Sequence, residues 1–147
     1  MDVQQDFKEL LALFNALHIK YLIVGGYALA FHGAPRMTGD IDIFIEPSND
    51  NAHKVLEALK KFGFGHIGLK IEDFTKRDNV IQLGQPPVRI DILTSLTGVS
   101  WEKAYATKKK GKYGELIVSF ISRESLLKNK RSIGRKKDQA DLEALGE

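Results

Sequence analysis

The chain contains no cysteine. It can form neither a disulfide framework nor a thiolate zinc site, which suits a reducing compartment. Its opening residues, Met1-Asp2-Val3-Gln4-Gln5-Asp6, show neither the positive segment nor the apolar core of a secretory leader. No apolar run approaches the roughly 20 residues that a membrane-spanning helix needs. The expectation is a soluble, cytoplasmic protein with no membrane contact. The net charge of +3 is mild but unevenly spread. Residues 1–50 hold three Lys/Arg against seven Asp/Glu, and residues 101–147 hold twelve against seven. A basic back third of this kind attracts polyanions and triphosphates, although a solvated lysine face accounts for many such runs. With 147 residues the chain is expected to form a single domain, 1–147, with a basic helical segment over 122–147. That length buries about 68–70% of the unfolded surface, so no covalent staple is needed.

The most structured stretch runs from Gly25 to Glu46. The apolar run Tyr21-Leu22-Ile23-Val24 ends in Gly25-Gly26, and thirteen residues later a second apolar run contains Asp40-Ile41-Asp42. Over 39–45 polar and apolar residues alternate with a period of two, which predicts a strand with Asp40 and Asp42 on one face and Ile41, Ile43 and Ile45 on the other. Same-face neighbours on a strand lie roughly 6.5–7 Å apart. Two carboxylates that close repel unless a cation sits between them. Hard oxygen ligands suit magnesium or manganese, which complete their shells with water and substrate phosphates. The glycine pair lets backbone amides approach a phosphate, though a lone pair of this type is also an ordinary strand-to-helix turn. Val88-Arg89-Ile90-Asp91-Ile92-Leu93 alternates in the same way, placing Arg89 and Asp91 on one strand face.

The remaining pattern predicts an α+β fold, a mixed β-sheet with helices packed around it. Val3, Phe7, Leu10, Leu11, Phe14 and Leu17 mark an amphipathic helix over 3–17. A central strand over 20–24 leads into a short buried helix over 26–32, stopped by Gly33-Ala34-Pro35. A second amphipathic helix spans about 52–62 and ends at Gly63. One or two short edge strands are expected between Phe64 and Phe74. Strands over 79–83 and 88–93, joined by Gly84-Gln85-Pro86-Pro87, read as an antiparallel pair. Ser100 caps a helix over 101–107, Lys108-Lys109-Lys110-Gly111-Lys112 reads as exposed loop, 115–121 reads as a strand, and Ser122 caps a helix starting at Arg123.

Gly-Gly, a thirteen-residue gap and Asp-x-Asp in an apolar strand resemble the signature of the polymerase-beta-like nucleotidyltransferase superfamily. The variant Arg36-x-Thr38-x-Asp40-x-Asp42 is similar to that of a small bacterial branch, which includes abortive-infection nucleotidyltransferase toxins of the AbiEii type and lincosamide-type antibiotic nucleotidyltransferases. Arg135-Lys136-Lys137-Asp138-Gln139-Ala140-Asp141-Leu142 resembles the closing motif of the toxin branch. The resemblance implies a nucleotidyltransferase that moves a nucleoside monophosphate from a nucleoside triphosphate such as ATP to an acceptor and releases pyrophosphate. It implies Asp40, Asp42 and Asp91 as catalytic and metal-holding residues, for Mg²⁺ or Mn²⁺, with Asp91 as the general base. It implies Gly25, Gly26, Arg36, Thr38, Lys128 and Arg131 around the nucleotide. Asp138 and Asp141 share a helical face, where they either form surface ion pairs or anchor basic residues towards the nucleotide.

The acceptor implied for a toxin is RNA, such as the 3′ end of a transfer RNA. A small molecule such as an antibiotic is the alternative. The third alternative is an inactive nucleotidyltransferase-shaped binding or antitoxin module, against which the three carboxylates count. The chain lacks the large helical domain many such enzymes use to grip an acceptor, so a homodimer or a partner such as a cognate antitoxin is a further expectation.

Overall fold

The computed structural model describes residues 3–34 and 39–147. Arg36 and Thr38 lie outside the described residues. The described residues form seven α-helices around a six-stranded mixed sheet of order β3-β4-β2-β1-β6-β5. In chain order the elements are α1 (Gln5–Ala16), β1 (Tyr21–Val24), α2 (Gly25–Phe31), β2 (Asp40–Ile45) and α3 (Asn49–Leu59). Then follow α4 (Ile71–Thr75), β3 (Val80–Gln85), β4 (Val88–Leu93), α5 (Trp101–Ala106), β5 (Lys109–Tyr113), β6 (Leu116–Phe120), α6 (Arg123–Ile133) and α7 (Lys136–Ala144).

The centre of the sheet is β1 and β2, antiparallel, with Val24 opposite Asp42 and Tyr21 opposite Ile45. On its outer side β2 pairs in parallel with β4, and β4 pairs antiparallel with β3. Period two then sorts the faces. Ile41, Ile43 and Ile45 are fully buried, and Tyr21, which shares the Ile45 face, packs edge-on against Phe14 of α1 with ring centroids 5.6 Å apart. The isoleucine face is thus the one α1 covers, and α1 in turn packs on α3. On the opposite face Phe44, in line with Asp40 and Asp42, meets Trp101 of α5 edge-on at 5.1 Å. One face of β2 therefore makes core along its whole length. The other makes core at Phe44 and leaves its start to the carboxylates.

Two expectations are corrected. Between Phe64 and Phe74 there is no strand among the described residues: a π-helical turn, Lys60–Phe64, prolongs α3 through Gly63 at φ 115, and α4 follows. Phe62 and Phe64 from the π-helical turn, Ile71 from α4 and Leu69 from the segment between them pack on the core without any pleat. The lysine run is also no loop, because Lys109–Tyr113 is an edge strand paired antiparallel with β6. Lys110 is tied down by donating to the Ser119 hydroxyl at 2.8 Å. The strand exists because Gly111 and Tyr113 face the core between solvated lysines. A row of lysines is also what keeps an exposed sheet edge from pairing with another chain.

Gly111 lies under the stacked rings of Phe31 and Phe120, whose centroids are 4.1 Å apart. A Cβ at this position would come within 2.4 Å of the Phe31 ring. Gly111→Val should therefore destabilise the fold by about 1–3 kcal/mol through overpacking, whereas Lys109→Val at the solvated edge should be close to neutral. Denaturant unfolding of both variants checks this.

Candidate active site

β1 runs into α2 with no intervening loop, and the turn is made by Gly25 at φ 66. Val24 stands opposite Asp42 across the strand pair, so the turn comes up directly against the Asp42 carboxylate. A Cβ on Gly25 would sit 2.1 Å from Asp42 Oδ2. Two independent constraints, the positive φ and the carboxylate, thus demand glycine here. No side chain caps the first turn of α2, so its leading amides are left to other partners.

On the other side of β2 the parallel register sets Asp42 opposite Asp91 and Asp40 opposite Arg89. Neighbouring strands lie about 4.8 Å apart, so the Asp42 and Asp91 side chains rise from the sheet as neighbours. Asp91 is only 9% exposed. Arg89 clasps it, donating from Nε to Oδ1 at 3.2 Å and from Nη2 to Oδ2 at 3.3 Å, and lies 3.8 Å from Asp40. This hydrogen bond, with the surrounding negative charge, holds the Arg89 guanidinium firmly charged. Among the described residues no arginine clasps Asp42 in this way. Burial, and then the charges of Asp91 and Asp40, push its carboxyl from 3.8 up to about 6 against the smaller pull of Lys137 and Lys130.

A cavity of about 430 Å³ opens over this region, with Gly25, Gly26, Asp40 and Asp42 on its sheet side and Lys130, Arg135 and Lys137 on its helical side. Lys130 is the cation that the sequence reading passed over. It is 6% exposed, with its ammonium 2.9 Å from Asp141 Oδ2 and 3.4 Å from Asp138 Oδ1. Gly134, in the left-handed conformation at φ 71, ends α6 and lets α7 fold back so that both acids meet Lys130. Asp138 is completely buried and accepts from the Arg135 side chain at 2.7 Å and its backbone N–H at 3.1 Å. The Arg135 hydrogen bond chiefly holds the Asp138 carboxyl down at about 2.

Lys128 and Arg131, expected around the nucleotide, do not line this cavity. Both are exposed, and Arg131 pairs with Glu147 at 2.5 Å. Helical phase is the reason. Leu126, Asn129, Lys130 and Ile133 recur at three- and four-residue steps and face inward, which turns 128 and 131 outward. That periodicity was in the sequence; weighing the segment by its positive charge concealed it.

Among the described residues no group of three His, Asp or Glu side chains is gathered closely enough to hold a metal ion by itself. Asp91 does not line the cavity while Arg89 clasps it. The donor set nevertheless suits a hard divalent cation. Asp42 and Asp40 both line the cavity, the charge of Asp40 disfavours that of Asp42, and magnesium commonly takes one or two carboxylates with the rest of its shell from water and phosphate.

A glycine turn pressed against an Asp-x-Asp strand, with a third acid on the next strand of a mixed sheet, defines a nucleotidyltransferase of the polymerase-beta-like type. The model of the nucleotidyl transferase AbiEii toxin family, of type IV toxin–antitoxin systems, matches residues 10–127, and the chain belongs to that family. Its fold is similar to that of lincosamide antibiotic adenylyltransferase LnuA in lincomycin-bound form, at a TM-score of 0.62 and 18% identity over 99% of this chain and 98% of that one. A protein of Thermotoga maritima assigned as a nucleotidyltransferase aligns at 0.64 with 12% identity, over 97% and 93% of the two chains. An antigenic nucleotidyltransferase-like protein of Paracoccidioides brasiliensis aligns at 0.56 with 20% identity, over 95% and 72%. No curated protein sequence matches the chain. No described helix is long and apolar enough to cross a membrane.

Two outcomes follow from the electrostatics. Because folding raises the Asp42 pKa, the fold favours the protonated acid, and the stability this gives is lost as pH rises through about 6. In the metal-free protein Asp42→Asn should therefore raise stability above about pH 7 by about 1–3 kcal/mol, the gain vanishing below about pH 4. Chemical unfolding in chelator at both ends of the range reads this directly. Lys130→Met would leave Asp138 and Asp141 with too little positive charge and should cost about 2–4 kcal/mol, while Lys128→Met should cost under about 0.5 kcal/mol.

Proposed function

We propose that this protein transfers a nucleoside monophosphate from a nucleoside triphosphate to the hydroxyl of an acceptor RNA, releasing pyrophosphate, as a toxin would. The observation that carries the reading is the Gly25 turn lying against Asp42, with Asp91 beside it and a lysine-lined wall opposite. Asp40, Asp42 and Asp91 would hold Mg²⁺ or Mn²⁺. The bound cation would supply stabilisation of the charge that develops on the α-phosphoryl group and on the departing pyrophosphate.

The chain's own groups do the rest. Gly25 and Gly26 present backbone amides to the phosphates at a distance no side chain would permit. Lys130, Lys137 and Arg135 face the same cavity and balance the triphosphate's charge. Asp91 takes the acceptor's proton once Arg89 releases it, since a carboxylate held by a bidentate guanidinium is a poor base. Lys128, Lys136 and Lys137 are exposed around the α6–α7 turn and offer an RNA backbone a basic surface beside the cavity. Membership of a toxin family supports the same acceptor.

A small hydroxylated acceptor is the second reading. It is favoured by a larger adjoining cavity of about 950 Å³ and by the likeness to a lincomycin-bound adenylyltransferase of nearly the same length.

Labelled nucleoside triphosphates incubated with total RNA and with a panel of metabolites test both. Magnesium-dependent label in RNA that Asp42→Asn reduces by about 10²-fold or more is the expected outcome. Label in a small acceptor alone would replace the first reading by the second. Absence of both incorporation and magnesium-dependent nucleotide binding would overturn the enzyme's proposed chemistry.

A further inference from the structure

The carboxylate face of the sheet ends in a strand of lysines. Lys109, Phe120, Ile23 and Ile43 stand in one row across β5, β6, β1 and β2. Side chains one residue away from that row, Lys110 on β5 and Asp42 and Phe44 on β2, therefore project together on the other face. Lys112 follows Lys110 with a period of two. Three strand steps separate β5 from β2, roughly 14 Å across the sheet. β6 runs parallel to β1 and β5 runs antiparallel to β6, so the lysine strand starts at the end of the sheet where the Gly25 turn lies and leads away from it.

Positive charge is concentrated here. Residues 103–112 contain five lysines and no acid. Lys103, Lys109, Lys110 and Lys112 are exposed, and Lys108 is half-buried. Among the described residues none of the five enters an ion pair, whereas Lys130, Arg131 and Arg135 are each matched by an acid. Two of the five are nonetheless held in place, and by neutral groups. Lys110 donates to the Ser119 hydroxyl, and Lys108 lies over the Tyr105 ring, 4.0 Å from its centroid, with Tyr105 itself stacked on Trp101. Discouraging edge pairing requires no such support, because any solvated ammonium does that. An ammonium fixed by a neutral partner keeps its full charge and has less side-chain freedom to lose when an anion arrives.

The spacing indicates which anion. Same-face neighbours such as Lys110 and Lys112 lie roughly 6.5–7 Å apart along a strand, close to the interval between successive phosphates of an extended nucleic-acid chain. An acidic peptide laid on this edge would turn alternate side chains away from the protein. A nucleic acid carries a charge at every residue along one continuous ridge, which meets lysines on both faces of the edge. Resting on the RNA acceptor proposed for this protein, we propose that Lys108, Lys109, Lys110 and Lys112 bind the phosphate backbone of that RNA a few nucleotides before its reacting end. Phosphate contacts of this kind position a chain without reading its bases.

Anisotropy of a labelled single-stranded RNA of about twelve nucleotides, without triphosphate or magnesium, reads this surface apart from the chemistry. Lys110→Gln with Lys112→Gln should weaken binding about tenfold and lower the salt slope of log Kd by about 1.4, two contacts at about 0.7 each. Lys109→Gln with Lys112→Gln, which leaves the Ser119 hydrogen bond intact, should do the same, and Lys110→Arg with Lys112→Arg should stay within about twofold of the unaltered protein. Lys60→Gln with Lys61→Gln removes equal charge from the turn that packs with α1 on the opposite face, and should also stay within about twofold. Equal weakening by this last pair, loss confined to the Lys110→Gln pair, or an unchanged salt slope would overturn the proposal. Tighter binding of a polyglutamate of equal charge would overturn it too and assign the edge to an acidic protein. RNA labelled with a KM that Lys110→Gln and Lys112→Gln leave unchanged removes this surface and leaves the transfer reaction standing. RNA bound through these lysines but never labelled does the reverse.

Discussion

The structure is organised around a row of like charges. Parallel pairing of β2 with β4 sets Asp42 opposite Asp91, and the pleat puts Asp40 on the same face two residues earlier. A sheet built for stability alone would place apolar or oppositely charged residues at that row. Here the core is arranged so that the row is tolerated. Ile41, Ile43 and Ile45 on the reverse face of β2, and Ile90 and Ile92 of β4, are completely buried and hold the two strands in a fixed register. Slipping that register by one residue would drive the carboxylates into the α1 layer. The hydrophobic pattern thus fixes the position of the acids, and Arg89 softens the repulsion from one side only.

Much of this was legible in the sequence because the signals were short-range. Alternation in 39–45 and 88–93 gave the faces of β2 and β4, and Val24-Gly25-Gly26 gave the strand-to-helix turn. Ser100 and Ser122 proved to be helix caps, each accepting a backbone N–H three residues on. The parts that were not legible required tertiary context. Lys109–Tyr113 is a strand only because β6 pairs with it and because Gly111 leaves room for two stacked rings. No local propensity in a lysine run announces that. Lys130 was hidden for a different reason: its neighbours are equally basic, and only the helical phase, together with the turn at Gly134, decides which cation enters the interior.

The pairing of Lys130 also bears on the charge at Asp42. One ammonium faces two buried acids from α7, and Asp138 is further held by Arg135, so little of this cluster's charge is left to neutralise β2. That is why Lys130 lowers the Asp42 pKa less than burial and the neighbouring acids raise it. The cavity has a basic wall whose geometry is held by Asp138 and Asp141 and an acidic floor at Asp40 and Asp42. A triphosphate alone would meet the wall favourably and the floor unfavourably. A divalent cation held by Asp40 and Asp42 would offset the charge of the floor and so favour a triphosphate beside the wall.

Arg89 completes the argument. Its guanidinium spans Asp91 and approaches Asp40, placing a positive charge among the acids proposed to hold a divalent ion. A cation held at Asp42 would repel a guanidinium a few ångströms away and compete with it for carboxylate oxygens. Under the proposed reaction that competition would loosen the clasp on Asp91, the acid proposed to accept the proton. Arg89 is on the same strand as Asp91, two residues away and on the same face, so releasing it takes only a side-chain rotation and no change in the sheet. Under the proposed reaction charge, register and rotamer would thereby be coupled: the acid proposed as base would be freed by the event that brings the phosphate donor into place.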